Sequence, residues 1–304
     1  MGSNDTLSAD ALYLDTLRTS WLPATGLFIA LFLVVAFRAF AIVRFTVRFL
    51  GFVWLLFVAS VSGILATLFE RALFGQKRLY LHKHSLHFVS NYLMPLVINV
   101  RTEIIEGAEY LENTRPCVFI MNHQSELDLL VQLSFLISDA KEEFKKIPLI
   151  GSYMVLSRDA VFIKRSNLAD AMATVTNATK EVIDRKVSLH VYVEGTRSYQ
   201  ETNDLLPFKK GAFHTAIGNQ IPIIPIVAES YHGIYNFRNK MFDGGVVKIK
   251  VLPPISTVGL GPDDVGTMLE SCRDLMHKTL IEISQPAPKW AKALKAPKSK
   301  KKAE

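Results

Sequence analysis

Three stretches without Asp, Glu, Lys or Arg open the sequence, and short apolar segments alternating with amphipathic ones follow them. The first covers residues 21–37, after a polar segment at 1–20 that carries Asp5, Asp10 and Asp15 against Arg18. Arg38, Arg44 and Arg48 interrupt the pattern, and a second run of twenty-one residues covers 49–69 before Glu70 and Arg71. About twenty apolar residues cross a hydrocarbon core as a helix, so the second run is long enough and the first sits at the lower limit. A removable signal peptide fits poorly, because no basic segment precedes the first run and a longer one follows it. Neither run shows a polar face, which argues against two buried core helices. The third run, 84–100, is broken up by Ser85, Ser90, Asn91, Pro95 and Asn99, and reads as an interfacial or half-buried segment. The three arginines favour a cytosolic loop between the first two runs. Two full spans would then leave the remainder lumenal, whereas a hairpin in one leaflet, or a third span, would keep it cytosolic.

From about Arg101 the period changes. Strand-like runs lie at 117–121, 160–163, 189–193, 223–227 and 246–251, and helix-like runs at 125–138, 168–185, 210–218 and 262–283. Apolar strands bounded by helices predict an α/β fold with a mixed, mostly parallel sheet flanked by helices. An N-terminal hydrophobic helical membrane anchor precedes it. The expected division is a polar end at 1–20, anchoring helices at 21–100, an α/β catalytic domain at 101–285 and a lysine-rich tail at 286–304. The tail is of low complexity and too polar to bury a core.

Composition refines this picture. Hydrophobic residues make up 49% of the chain. Lys plus Arg number 35 and Asp plus Glu 28, a net charge of +7, but seven lysines fall within 289–302 and only Glu304 opposes them beyond. The body is therefore close to neutral, and the basic balance does not point to nucleic acid: the tail offers Trp290 as its aromatic and no recognised module. Two cysteines, Cys117 and Cys272, exclude a disulfide framework and a four-cysteine zinc site. His82, His84 and His87 have no carboxylate or thiolate at ligand spacing, so no metal is expected there.

The candidate chemistry follows the strand at 117–121 directly, in Asn122-His123-Gln124-Ser125-Glu126-Leu127-Asp128. Strand ends are where α/β proteins commonly place reactive groups. Ser125 and Asp128 form a capping pattern, so a helix is expected to start at Ser125 with Asp128 in its first turn. On one continuous helix, residues five apart would be separated by about 140°. With the helix starting between them, the carboxylate can reach back to one imidazole nitrogen and leave the other to take a proton from an alcohol. This is the base-and-orienter part of a catalytic triad without a protein nucleophile. Asp128 as a plain capping carboxylate, with His123 as a satisfied turn residue, is the alternative.

Four blocks in order resemble the glycerolipid acyltransferase family, in particular the 1-acylglycerol-3-phosphate acyltransferases. They are Asn122-His123-x4-Asp128; Phe162-Ile163-Lys164-Arg165; Val193-Glu194-Gly195-Thr196-Arg197-Ser198 with Phe208-Lys209-Lys210-Gly211-Ala212 after it; and Ile221-Pro222-Ile223-Ile224-Pro225-Ile226. Two departures stand out. Tyr192 and Val193 replace the usual Phe-Pro, and Arg158-Asp159-Ala160 stands where a glycine usually precedes Phe-Ile. Neither removes a chemical group.

The resemblance implies that His123 is the general base and that Asp128 holds its tautomer. The implied acyl donor is acyl-CoA, a co-substrate, and no cofactor, metal or acyl-enzyme is needed. The implied acceptor is lysophosphatidic acid (1-acyl-glycerol-3-phosphate), acylated at the sn-2 hydroxyl to phosphatidic acid in glycerophospholipid synthesis. Glycerol-3-phosphate or another lysophospholipid is the alternative acceptor, and a non-catalytic lipid-binding scaffold the alternative from outside enzymes. Lys164, Arg165, Glu194, Gly195, Thr196 and Arg197 would hold the acceptor phosphate, with Glu194 orienting Arg197. Lys209 or Lys210 would meet CoA phosphates, with solvated lysines at a helix start as the alternative, and Pro222 and Pro225 are expected as strand-edge and packing residues. Ser198 as a nucleophile lacks the Gly-x-Ser-x-Gly elbow. Lys301-Lys302-Ala303-Glu304 resembles a dilysine retrieval signal, which implies the endoplasmic reticulum membrane and a cytosolic carboxy terminus. The same lysines suit the anionic surface of a bilayer.

Overall fold

The computed structural model describes residues 9–75, 81–133, 140–141, 149–157, 162–163 and 188–286. Two long helices come first, α1 (Ala9–Ala39) and α2 (Ala41–Phe74), with α1 beginning inside the polar end of the sequence. The chain then forms α3 (Leu81–Phe88), a π-helical turn (Val89–Leu93) and α4 (Met94–Ile98). Asn99 closes α4 in the left-handed region (φ 57°) and passes the chain to β1 (Val100–Glu106).

The remaining elements in order are α5 (Ala108–Asn113), β2 (Val118–Met121), α6 (Asp128–Leu133), β3 (Ala140–Lys141), α7 (Ile150–Ser157), β4 (Phe162–Ile163) and β5 (Leu189–Tyr192). They continue with α8 (Gly211–Gly218), β6 (Ile223–Ala228), β7 (Tyr235–Asn236), β8 (Met241–Phe242), β9 (Gly245–Val251) and α9 (Val265–Ile283).

Five strands form one sheet in the order β1-β9-β6-β2-β5. Every adjacent pair is parallel except β6 with β9. This is the mixed, mostly parallel sheet that the alternation predicts. The period of two along each strand sends side chains to opposite faces. Phe119, Met121, Ile224, Ile226, Val247 and Ile249 face a core shared with α2 and α4, while Val118, Ile120, Ile223 and Val227 face α8 and α9. The sheet is thus covered on both sides, and β2 and β6 are buried at every position, which is why they read as continuous apolar runs.

Two expectations need correction. Pro225 is not on a sheet edge, since β6 lies between β2 and β9. Its missing N–H does no harm because the β6–β9 ladder starts one residue later, at Ile226 with Val251, and its carbonyl still accepts from Leu252 N at 2.8 Å. The second correction concerns α2. Its residues 49–69 are uncharged, yet it buries a stripe through Phe45, Phe52, Leu55, Ala59, Ser60, Gly63, Thr67 and Glu70 against the rest of the protein. Gly63 lets Tyr153 of α7 come so close that a Cβ there would lie 2.6 Å from its ring. The opposite face leaves Leu50, Trp54, Phe57, Leu65, Leu68 and Phe69 exposed. One element therefore packs on the core along one face and leaves an apolar face exposed along the other. Among the described residues, α2 is the helix long and apolar enough to cross a membrane. The third run, at 84–100, is half-buried: Val89, Met94 and Ile98 face α2, and Phe88, Tyr92 and Leu96 face outward.

Register decides where the polar residues meet. Met121 of β2 lies beside Tyr192 of β5 and Ile226 of β6, so three parallel strands end at nearly one level. The residues that follow each strand gather at that edge.

Candidate active site

Immediately after Met121 the chain must turn away from a sheet in which it is fully enclosed. Asn122, itself buried, makes the first step by pairing its side-chain amide with both backbone groups of Ala228, each at 2.9 Å. Gln124 continues the attachment, donating to the carbonyls of Ala228 (3.2 Å) and Glu229 (2.8 Å) and accepting from Tyr231 N (3.1 Å). Both side chains thus tie the turn to the end of β6. A buried amide needs such partners, and backbone groups leaving a strand supply them.

The regular helix starts at Asp128, three residues later than the capping pattern suggests, and residues 125–127 form a turn before it. The capping pattern itself holds: Ser125 Oγ accepts from Leu127 N (3.2 Å), and Asp128 Oδ2 reaches back to accept from Gln124 N (2.7 Å) and Ser125 N (3.0 Å). The same oxygen lies 2.8 Å from His123 Nδ1. An ionised carboxylate only accepts, so the imidazole carries its proton on Nδ1 and leaves Nε2 as the acceptor. The Asp128 side chain is 1% exposed and that of His123 16%, so the acid is sealed while the base reaches solvent. Sequence spacing predicts this pair; the structure adds that the orienting acid also holds the backbone of the turn.

The segment after β5 clasps the turn. Glu194, 2% exposed, accepts from His123 N through Oε1 (2.7 Å) and from Leu206 N through Oε2 (2.8 Å). Ser198 N donates to His123 O (2.8 Å) and Tyr199 N to Gln124 O (3.0 Å). Both backbone groups of His123 are therefore held by the third block. Burial pushes the Glu194 carboxyl up to about 7, against the pull of its two N–H donors. The expectation that Glu194 orients Arg197 is overturned: Glu194 spends both oxygens on backbone, and Arg197 Nη1 meets Glu126 Oε1 at 3.3 Å instead. Between them Gly195 takes φ 71°, which favours glycine, and Thr196 is exposed. Lys209 and Lys210 are exposed ahead of α8, where Lys209 N donates to Val193 O at 2.7 Å. Lys164 and Arg165 lie outside the described residues.

Tyr192, the departure from the family pattern, stacks on the His123 ring with centroids 4.0 Å apart. Its hydroxyl donates to Gln132 Oε1 (2.7 Å), and Gln132 Nε2 donates to His190 Nδ1 (2.8 Å). Burial drives His190 down to about 3, so this second imidazole is neutral. Burial, followed by the Asp128 charge, holds the Tyr231 phenol well above its ordinary value. A shallow cleft beside the turn is lined by Gln124, Ser125, Tyr199, Tyr231, Tyr235 and Arg238. Sequence reading missed Asn122, Gln124, Gln132, Tyr192 and Tyr231. Their signal was polar residues in or next to buried strands, a pattern that demands partners without naming them. Among the described residues, no three His, Cys, Asp or Glu are arranged to hold a metal.

Polar groups gathered at the carboxyl ends of parallel strands, around a histidine with one ring nitrogen held and one free, mark an α/β enzyme site. The comparisons narrow the class. The model of the acyltransferase family matches residues 104–229. An uncharacterized acyltransferase of Schizosaccharomyces pombe is 33% identical over 252 residues, 79% of this chain and 86% of that one. The mouse 1-acyl-sn-glycerol-3-phosphate acyltransferase alpha is 34% identical over 249 residues, 80% of this chain and 83% of that one. The crystal structure of the 1-acyl-sn-glycerophosphate (LPA) acyltransferase PlsC from Thermotoga maritima superposes with a TM-score of 0.61 at 23% identity. That match covers 79% of this chain and 97% of that one, and it is a likeness of fold. The chain belongs to the acyltransferase family, as its four ordered blocks imply.

Proposed function

We propose that the protein transfers a fatty acyl group from acyl-CoA to the sn-2 hydroxyl of 1-acyl-glycerol-3-phosphate, giving phosphatidic acid and CoA. The observation that carries the reading is the 2.8 Å contact between His123 Nδ1 and the buried Asp128 carboxylate, which leaves Nε2 as a base facing solvent. His123 Nε2 removes the hydroxyl proton as the oxygen attacks the thioester carbonyl. The tetrahedral intermediate collapses, the C–S bond breaks, and the imidazolium returns its proton to the CoA thiolate. Asp128 stabilises the imidazolium while it lasts. A positioned base of this kind contributes about 10²- to 10⁴-fold.

Relatives named for 1-acyl-sn-glycerol-3-phosphate support the choice of acceptor. Arg197 stands beside the catalytic turn, joined to it through the 2.8 Å bond from Ser198 N to His123 O, and suits a phosphomonoester. Lys164 and Arg165 complete the phosphate site in this reading, Gly195 admits backbone amides to it, and Lys209 and Lys210 meet the CoA phosphates. The exposed apolar face of α2 brings the site to the bilayer that holds the acceptor. The lysine-rich tail directs the protein to the endoplasmic reticulum membrane with a cytosolic carboxy terminus.

The test is CoA release by purified full-length protein in detergent with oleoyl-CoA and lysophosphatidic acid, comparing wild type with His123→Ala. Robust turnover lost in a folded variant is the expected result. Turnover that survives the substitution removes His123 from the mechanism, and an inactive wild type across acyl donors and lysolipids removes the reading.

A further inference from the structure

The guanidinium that faces the acceptor in this reading is already engaged. Arg197 Nη1 lies 3.3 Å from Glu126 Oε1 and 3.3 Å from the Tyr199 hydroxyl. Tyr199 in turn donates to the same Glu126 oxygen, and Tyr235 donates to the other at 3.3 Å. Glu126 stands in the catalytic turn itself, between His123 and Asp128. The side chains of Arg197 and Glu126 are 26% and 27% exposed, so the pair is open to an incoming ligand, and its partners Tyr199 and Tyr235 line the cleft beside the turn. The loop that carries Arg197 cannot withdraw, because Ser198 N and Tyr199 N are bonded to His123 O and Gln124 O.

We infer that Glu126 is a specificity-determining residue, a carboxylate that occupies Arg197 in the free enzyme and must be displaced by the acceptor phosphate. The inference rests on the proposed acceptor. A phosphate dianion carries more charge and more acceptor oxygens than a carboxylate and can take the guanidinium bidentately. A phosphate arriving beside Glu126 also meets a like charge, which opposes binding until the carboxylate moves off. Tyr199 and Tyr235 give it a resting place: two hydroxyl donors keep Glu126 satisfied once Arg197 has turned to the phosphate. The arrangement weakens binding of any anion that cannot replace the whole carboxylate contact, and so discriminates among acceptors by the charge of their phosphate.

The test measures the KM for lysophosphatidic acid and the KM for oleoyl-CoA in wild type and Glu126→Gln. Competitive inhibition by inorganic phosphate is measured in both, and again in Arg197→Ala and the double variant. Glutamine keeps the shape and the tyrosine contacts but drops the charge. The expected result is a fall of about three- to ten-fold in the acceptor KM and in the phosphate Ki, the scale of a partly exposed ion pair plus a relieved like charge. The acyl donor KM should stay within about two-fold. In the Arg197→Ala background the substitution should tighten phosphate clearly less than in wild type, since only the relieved like charge remains; an equal gain in both backgrounds overturns the inference. An acceptor KM and phosphate Ki that stay level or rise in Glu126→Gln overturn the inference, because Glu126 would then orient Arg197 or leave it alone. Wild-type turnover with another acceptor but none with lysophosphatidic acid defeats the proposed acceptor. In that case direct phosphate binding, followed by thermal shift in the same variants, decides the Glu126 question by itself.

Discussion

Asp128→Asn keeps the size of the side chain and removes its charge, and the site geometry makes the two consequences separable. Oδ2 of Asp128 serves Gln124 N at 2.7 Å, Ser125 N at 3.0 Å and His123 Nδ1 at 2.8 Å. The amide oxygen of asparagine can take that position and still accept from both backbone groups. Its nitrogen then falls where Asp128 Oδ1 is buried, near the Tyr231 hydroxyl, which can accept from it. The turn should survive at a cost of about 1 kcal/mol, the charge-assisted part of the bonds. Asp128→Ala instead strands the buried Ser125 N–H and the partly buried Gln124 N–H, and should cost about 2–5 kcal/mol.

Catalysis should respond in the opposite proportion. Without the carboxylate no charge supports the imidazolium, and kcat should fall about 10²- to 10⁴-fold in the folded asparagine variant, roughly 3–5 kcal/mol of transition-state stabilisation. The assay is CoA release at saturating lysophosphatidic acid and oleoyl-CoA, with thermal unfolding of each variant in the same detergent. An asparagine variant within about three-fold of wild-type kcat refutes the reasoning and leaves holding the backbone of the turn as the only role of Asp128. An asparagine variant as unstable as the alanine one refutes the acceptor geometry.

Other perturbations probe the shell around the pair. Glu194 has its folded-state value raised by burial from 4.5 to about 7, so the folded state binds its proton more tightly than the unfolded chain does. Its contribution to stability is therefore fully present below about pH 4.5 and is lost as pH rises to 7, by up to about 3 kcal/mol for a difference of 7 − 4.5 = 2.5 units. The stability of wild type relative to Glu194→Gln should accordingly fall across that window, and a pH-independent difference in thermal unfolding argues against the assignment. Tyr192→Leu removes the 4.0 Å stack on His123 and the bond to Gln132, and should lower kcat about ten-fold with little change in either KM. Tyr192→Phe keeps the stack and should recover most of that loss; equal losses in both variants would place the effect in the hydroxyl.

The alternation of strands and helices was legible in the sequence chiefly because the central strands β2 and β6 are enclosed on both faces and so are apolar throughout. By contrast β1, with Arg101, Glu103 and Glu106, gave no such run. The His123–Asp128 pair was legible for a local reason: five residues and one helix start bring the two groups together, and turn chemistry is written in neighbouring residues. What the tertiary structure decided lies at long range. Glu194 reaches His123 across 71 residues and Asn122 reaches Ala228 across 106, in both cases through backbone groups that have no side-chain signature. Arg197 found Glu126 where the sequence offered Glu194, because the strand register aims the nearer carboxylate at the turn and leaves the farther one beside the guanidinium. The inner face of α2 holds Ser60, Gly63, Thr67 and Glu70 beside its apolar residues, while the outer face holds Leu50, Trp54, Phe57, Leu65 and Phe69, so hydrophobicity alone would point the wrong face inward. Only the sheet and helices that fill the inner face settle which is which.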